Sequence, residues 1–500
     1  MRPSAPDSIL HLFAASVERA PDAPCLIWQG QPIRYDTVHT AATRVGRWLR
    51  DQGLASGERV ALALDSSPAF VYAYLGVGLA GGVVVLVNAQ YRPAELTHLL
   101  SDSGAALVLG HGPILDAIRA LQPDLPALRQ AHDFALGAGP LAPGSGAAEP
   151  LALPRPDDLA LLAYTSGTTG RSKGAMLSHA NLAANITAVT QAWRWTAADR
   201  LLLTLPLFHI HGLGVGLHGA LITGASADLR PRFDPAEVIA ALDAGGISLF
   251  FGVPTMYARL LAAARNAPPR TTGVRLFVSG SAPLSPEVFD EFQRVFGQTL
   301  LERYGMTETG MLTTNPLDGP RRPGAVGQPF PGQAILVGAP GAPLPPYQVG
   351  AVWTRGPNVF QGYWQQPDAT AEVFRDGWFN TGDLGFLDDT GVLTLVGRSK
   401  ELIISGGFNV YPREVEEMLQ THPAVVEAAV VGLPDPDLGE RVVAVVVPRS
   451  PAPSADELME YCRARLAPYK KPREVRFVAA LPRNAMGKIQ KTVILADLMK

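Results

Sequence analysis

The chain has 500 residues, 47% of them apolar and 17% charged, which speaks against disorder and exceeds what one hydrophobic core usually serves. A net charge of −3 and an isoelectric point near 6.4 give no electrostatic footprint for nucleic acid or an anionic membrane surface. The two cysteines, Cys25 and Cys462, lie far apart, so a disulfide framework and a thiolate metal site are both disfavoured and a reducing cytoplasm fits.

The first residues include Asp7 and Glu18 and no long apolar core, so they read as a helix and not as a signal peptide. Asp7 or Ser8 is the expected N-cap, with Ile9, Leu10, Phe13 and Val17 on one face. Short apolar runs then alternate with helical patterns: RVALAL (59–64), VVVLV (83–87), ALVLG (106–110), LALLAYT (159–165), LLLTLPL (201–207), SLFFGV (248–253) and RLFVSG (275–280). Continuous apolar strands separated by helices predict an α/β chain with mostly parallel sheets covered on both faces. Two uncharged stretches, Ala69 to Val87 and Leu201 to Ala227, imitate membrane spans in length. The first breaks at Gly81-Gly82 into a β-branched run, which predicts a helix feeding a buried strand. The second is interrupted by histidines, a proline and several glycines, so neither is read as a span. LGAGPLAPGSGAAEP (136–150) is a surface loop. After Gly397 the chain becomes more charged, with a helix at REVEEMLQTH (413–422) and strands at VVEAAVVG and RVVAVVV. The division expected is an N-terminal domain over 1–397 and a small α+β domain over 398–500.

YTSGTTGRSKG (164–174) follows an apolar strand, and its glycines and hydroxyl residues allow tight turns with inward N–H groups. With Lys173 added, this is chemistry suited to a polyphosphate. It is not a Walker A loop, because Ser172 occupies the second glycine position and Gly174 follows the lysine. HGLGVGLHG holds a formal GxGxxG at Gly214, Gly216 and Gly219, with Asp234 about 20 residues on, which keeps open a nicotinamide-dependent oxidoreductase. Close helix packing explains those glycines at least as well. His209 and His211 suggest a metal, but no third ligand is evident and a pocket-lining or core role reads better. LERYGMTETG (301–310) gathers Glu302, Thr307 and Glu308 around Tyr304, where a carboxylate can hold Mg²⁺ and a ring can cover a base. WFNTGDLG carries Asp383 in a turn, GRSKELIISGGFNVYPREVE (397–416) is rich in charge and glycine, and PRNAMGKIQK (482–491) presents Lys488. Taken singly, each could be ordinary surface.

In this order, over nearly the whole chain, these motifs resemble the adenylate-forming (AMP-binding) superfamily of acyl-CoA synthetases, luciferases and peptide-synthetase adenylation domains. Within it, LPLFHIHGL, RLFVSGSAPL and ERYGMTET look most like the malonyl-CoA synthetases. The resemblance implies a large N-terminal domain of layered sheets with a small β-barrel, and a mobile C-terminal lid hinged near Lys400. It implies ATP, Mg²⁺ and coenzyme A as co-reactants and malonate, with methylmalonate as a further candidate, as the acid. It also implies that Thr165, Ser166, Gly167, Thr168, Thr169, Gly170, Arg171, Ser172 and Lys173 embrace the β- and γ-phosphates. Ser281, Ala282, Glu302 and Tyr304 would line the adenine, Thr307 would meet the α-phosphate, and Glu308 would hold Mg²⁺. Asp383 would hold the ribose hydroxyls and Arg398 the ribose and phosphate region. Lys488 would bridge carboxylate and α-phosphate during adenylation, and rotation of the lid would then bring Gly406 and Gly407 toward CoA. His209 would lie near the acyl pocket and thiol path, with Met306 and Ser281 on the acyl wall. Bacterial relatives are acetylated at the lysine matching Lys488, which makes a protein acetyltransferase a candidate partner.

The residue types suit that chemistry. A carboxylate is a poor acyl donor, so its oxygen is first exchanged for AMP, a good leaving group, before a thiol attacks. The first step sets one anion against another, and Mg²⁺, Lys173 and Lys488 would neutralise charge where it develops. Arg303 stands where relatives that activate aliphatic monocarboxylates commonly carry glycine. There it would present a planar fork to a second carboxylate, unless it pairs with Glu302 or Glu308 to brace the turn. Two departures from the family pattern, Lys491 in place of arginine and the missing glutamate in Gly350-Ala351-Val352, touch none of the proposed chemistry. Three classes remain open at this point: the CoA ligase, the oxidoreductase, and a silent nucleotide-binding module, which the presence of both Glu308 and Lys488 argues against.

Overall fold

The computed structural model describes residues 7–137, 139–141, 151–165, 172–264, 269–484 and 487–499. Its first helix, Ile9–Arg19, starts at Ser8, whose hydroxyl accepts from the His11 N–H, and it buries Ile9, Leu10 and Phe13 as expected. The helix Pro68–Leu79 is apolar all round and buried at all 12 positions. It feeds the buried strand Val83–Leu86 across Gly81, whose φ of 79° turns the chain. A helix sunk in the core needs no polar face, which is why this stretch imitated a membrane span. Among the described residues no helix is long and apolar enough to cross a membrane.

Among the described residues the strands form three sheets. One runs in the order Gln130–Asp133, Leu107–Gly110, Arg59–Ala63, Val83–Leu86, Leu159–Thr165, Lys173–Ser178, parallel except for the last strand. A second has a parallel half built from Pro24–Trp28, Ser226–Leu229, Arg200–Leu203, Leu249–Gly252, Leu276–Ser279 and Leu301–Met306. Every residue of Leu249–Gly252 and Leu276–Ser279 is buried, as continuous apolar strands covered on both faces must be. This sheet continues into an antiparallel set, Gly310–Thr314, Ala325–Pro329, Leu393–Arg398, Trp378–Leu387, Gly350–Arg355 and Ala334–Ala339. These are the strands expected as a small barrel. The third sheet pairs the long hairpin Val425–Asp435 and Gly439–Pro448 with Ile403–Ser405, Phe408–Val410 and Glu474–Phe477 in the smaller C-terminal part, and the helix Pro412–Gln420 packs on it.

The run LLLTLPL is strand only to Leu203; Leu205 and Leu207 are buried but outside the ladder. Its parallel neighbour Ser226–Leu229 ends opposite Leu203, so the ladder stops there. The GxGxxG segment is corrected as well. Residues His211–Leu217 form a wide i→i+5 helix running straight into the helix His218–Thr223, with no strand–turn–helix unit for a dinucleotide. A Cβ on Gly216 would lie 2.8 Å from Leu203, and one on Gly219 2.8 Å from the Trp195 ring, so these glycines serve close packing. Cys25 and Cys462 are buried free thiols.

Candidate active site

A cleft of about 1300 Å³ opens beyond the carboxyl ends of the parallel strands Val83–Leu86, Leu159–Thr165 and Leu276–Ser279. Open α/β sheets place ligands at this end. Thr165, Ser172 and Lys173 form one wall, where the strand pair Leu159–Thr165 and Lys173–Ser178 brings Thr165 and Lys173 opposite each other. Ser166, Gly167, Thr168, Thr169, Gly170 and Arg171 lie outside the described residues. Lys173 Nζ sits 5.1 Å from the centre of the Tyr363 ring, a cation–π contact between two residues that line the cleft.

Met306, Thr307 and Glu308 line the opposite wall, just past the strand Leu301–Met306. Glu308 is 5% exposed, and its Oε1 accepts from the Tyr363 hydroxyl at 3.1 Å. Burial raises its pKa, while Tyr363 and the Arg398 charge oppose that rise. A buried carboxylate facing a cleft lined by Lys173, Arg398 and Lys488 fits a divalent cation carrying a polyphosphate. Among the described residues no group of three or more histidine, cysteine or acidic side chains is placed to hold a metal ion.

Arg398 and Lys488 approach the cleft from the C-terminal side, with Lys400 and Asn484 on its rim. Asp383 stands behind Arg398, its Oδ1 3.1 Å from Nε, and its other oxygen accepts the Tyr304 hydroxyl. The Asp383 charge raises the Arg398 pKa, whereas burial and the Arg398 charge lower that of Lys488. The Lys488 backbone N–H is held by Asn484 Oδ1 at 3.0 Å.

Phe208, His209, Ser281 and Arg303 line a further part of the cleft. Arg303 is 2% exposed, and its Nη2 donates to Ser281 Oγ at 3.4 Å. Its Nε finds no partner among the described residues, and no acidic group is among the influences on its charge. Burial pushes its pKa down to about 9, so the group remains cationic at neutral pH. Burial and the Arg303 charge push His209 down to about 4, so it is a neutral imidazole.

Six predicted site residues stand back from the wall. Glu302 accepts the N–H groups of Leu284 and Gly324 on the far side of its strand. The Tyr304 ring packs among Leu312, Val326, Val337, Val352 and Leu393. Asp383 is paired with Arg398, and Ala282 is half-buried beside Ser281. Gly406 and Gly407 turn the exposed hairpin between Ile403–Ser405 and Phe408–Val410, with φ of 58° and 80°. Sequence reasoning missed Tyr363, which touches both Lys173 and Glu308; the aromatic pair in QGYWQ was its one available signal.

A family model for AMP-binding enzymes matches residues 13–364, and one for the AMP-binding enzyme C-terminal domain matches 414–488. The chain belongs to the AMP-binding enzymes and is an AMP-forming acyl-CoA ligase. It is 40% identical to the sulfoacetate–CoA ligase of Cupriavidus necator, over 98% of this chain and 97% of that one. It is 37% identical to the mitochondrial malonate–CoA ligase of Xenopus laevis, over 88% and 82%. ATP-bound MatB from Rhodopseudomonas palustris, 40% identical with 98% of both chains covered, superposes with a TM-score of 0.91, against 0.81 for apo MatB.

Proposed function

We propose that this ligase activates malonate, forming malonyl-AMP and pyrophosphate from ATP and then malonyl-CoA and AMP from coenzyme A. The buried Arg303 guanidinium, facing the acyl end of the cleft without a carboxylate partner among the described residues, carries the reading. A desolvated cation of this kind favours an anion, and a planar fork favours a carboxylate. The distal carboxylate would rest on Arg303 and Ser281, leaving the other carboxylate free. That group would attack the α-phosphorus of ATP, breaking the bond to the bridging oxygen so that pyrophosphate leaves with the electron pair.

Within this reading Lys488 holds the attacking carboxylate and the α-phosphate together, Thr307 donates to the α-phosphate, and Glu308 holds the Mg²⁺ that ATP brings. Lys173, with Thr165 and Ser172, takes the outer phosphates, and Arg398, steadied by Asp383, takes the ribose end. In the second half-reaction the CoA thiol gives up its proton to solvent, its sulfur forms a bond to the acyl carbon, and AMP departs with the electron pair of the acyl–oxygen bond. Rotation near Lys400 would withdraw Lys488 for that step and carry the Gly406-Gly407 turn to the cleft. We take 1–397 and 398–500 as the two moving units and, with both thiols reduced and buried, place the enzyme in the cytoplasm.

Sulfoacetate is the second reading, favoured by the 40% identity to a sulfoacetate–CoA ligase, because its sulfonate would also satisfy Arg303. Pyrophosphate release measured across malonate, methylmalonate, sulfoacetate, oxalate, butyrate and ferulate, with and without CoA, tests both. Malonate should give the highest kcat/KM; preference for butyrate or ferulate would overturn both readings.

A further inference from the structure

We infer that His211 is a positioning residue that turns Ser281 into a hydrogen-bond donor for the distal anionic group of the acyl substrate, an inference that rests on the reading of the acyl cleft above. His211 is fully buried at the start of the wide helix His211–Leu217, and its Nδ1 lies 3.2 Å from Ser281 Oγ. Its ring lies nearly parallel to Phe251, 6.5 Å between centres and 16° between planes, and its backbone N–H donates to His209 Nδ1 at 3.2 Å. Nε2 is buried with no partner among the described residues.

Burial and the nearby Arg303 and His209 hold His211 neutral at working pH, so the ring carries one proton on one of two nitrogens. With the proton on Nε2, a buried N–H would be orphaned, and Nδ1 would draw the Ser281 hydroxyl hydrogen away from the cleft. With the proton on Nδ1, the ring donates to Ser281 Oγ and leaves at Nε2 a lone pair instead of an unsatisfied N–H. Orphaned buried N–H groups are the rarer defect, so the second tautomer is favoured.

Ser281 Oγ then receives two donors, His211 Nδ1–H and Arg303 Nη2–H at 3.4 Å. Both its lone pairs are engaged, and its single hydrogen is left to point into the cleft it lines. A hydroxyl in that state can give a hydrogen bond and cannot take one, which suits a carboxylate or sulfonate and offers nothing to an alkyl tail. The backbone agrees with a held geometry: Ser281 has φ of 71°, a region that non-glycine residues seldom occupy and that concentrates at functional sites.

The test compares kcat/KM for malonate and butyrate in wild type, His211→Phe, His211→Asn, Ser281→Ala and the His211→Phe/Ser281→Ala double variant. In His211→Phe, the malonate-to-butyrate ratio should fall about tenfold, the scale of one lost hydrogen bond to a charged group. Asparagine, whose amide nitrogen takes the place of Nδ1, should restore most of the ratio. Ser281→Ala should show the same fall, and the double variant should be no worse than either single one. In protein carrying ¹⁵N-labelled histidine, the resonance pair lost in His211→Asn should report the Nδ1–H tautomer. Additive losses, a ratio that survives His211→Phe, or an Nε2–H tautomer would each overturn the inference. A wild type with no preference for malonate or sulfoacetate over butyrate would instead overturn the proposed function, and the inference with it.

Discussion

Glu302 and Arg303 are consecutive in one strand, both 2% exposed, and they do not pair with each other. Successive strand residues point to opposite faces, so the carboxylate turns to the backbone N–H groups of Leu284 and Gly324 while the guanidinium turns to the cleft. Burial pushes the Glu302 carboxyl up from its usual 4.5 to about 7, with the Arg413 charge opposing the rise. A group that binds its proton more tightly when folded contributes stability that is complete below pH 4.5 and lost as pH rises through about 7. Glu302→Gln should therefore gain on wild type across that window, by up to about 3 kcal/mol at about 1.4 kcal/mol per tenfold change in proton affinity. Melting curves of both proteins at pH 5 and pH 7.5 check this; a Tm difference that does not change with pH contradicts it.

Lys488 enters the cleft beside Arg398, where its charge can act on the first half-reaction. Lys488→Ala should lose about 10²–10³-fold in malonyl-AMP formation, as removal of a preorganised electrostatic donor does. The same variant should still convert supplied malonyl-AMP and CoA to thioester. Equal losses in both half-reactions would remove the assignment. Acetylation of Lys488 would cancel the same charge, and mass spectrometry of protein from its native source would detect it.

Lys400 lies in a short turn, Ser399–Glu401, that follows the strand Leu393–Arg398 and precedes Ile403–Ser405 of the C-terminal sheet. Lys400→Pro fixes φ there and restricts Ser399. One half-reaction should survive and the other should fail, because only one of them needs the lid to turn. Normal rates in both would place the hinge elsewhere.

Tyr363 joins Lys173 and Glu308 through its ring face and its hydroxyl. Tyr363→Phe keeps the ring and removes the hydrogen bond, so the half-saturating Mg²⁺ concentration should shift several-fold, with about 1 kcal/mol at stake. Tyr363→Leu should also raise KM for ATP, since the cation–π contact is worth about 0.5–1 kcal/mol at a partly open site. Titrations of pyrophosphate release against Mg²⁺ and ATP separate the two effects; identical shifts in both variants would contradict the division.

Much of the fold was legible because its signals are local. Four-residue apolar runs such as Val83–Leu86 and Leu276–Ser279 declare buried parallel strands, and Ser8 declares a helix start. What was not legible depends on contacts between distant segments. Tyr363 meets Glu308 across 55 residues and His211 meets Ser281 across 70, and no periodicity reports such pairs. Tyr304, expected beside an adenine, packs with Val326 and Val352 and gives its hydroxyl to Asp383, 79 residues away, another contact that no local pattern reports. Hydrophobicity alone extended a strand to Leu207 that ends at Leu203, where its neighbour Ser226–Leu229 also ends.

The central claim is that Arg303 reads a second anionic group, and the most direct test is kcat/KM for malonate and butyrate in wild type and Arg303→Gly. A site built to pair a buried polar group can reject the ligand lacking it by about 10⁴-fold, so wild type should strongly prefer malonate. Arg303→Gly should lose malonate activity by at least about tenfold, the scale of one charge-assisted hydrogen bond, while butyrate activity holds or rises as the tail gains space. A parallel fall for both acids would contradict the claim and leave Arg303 a structural brace.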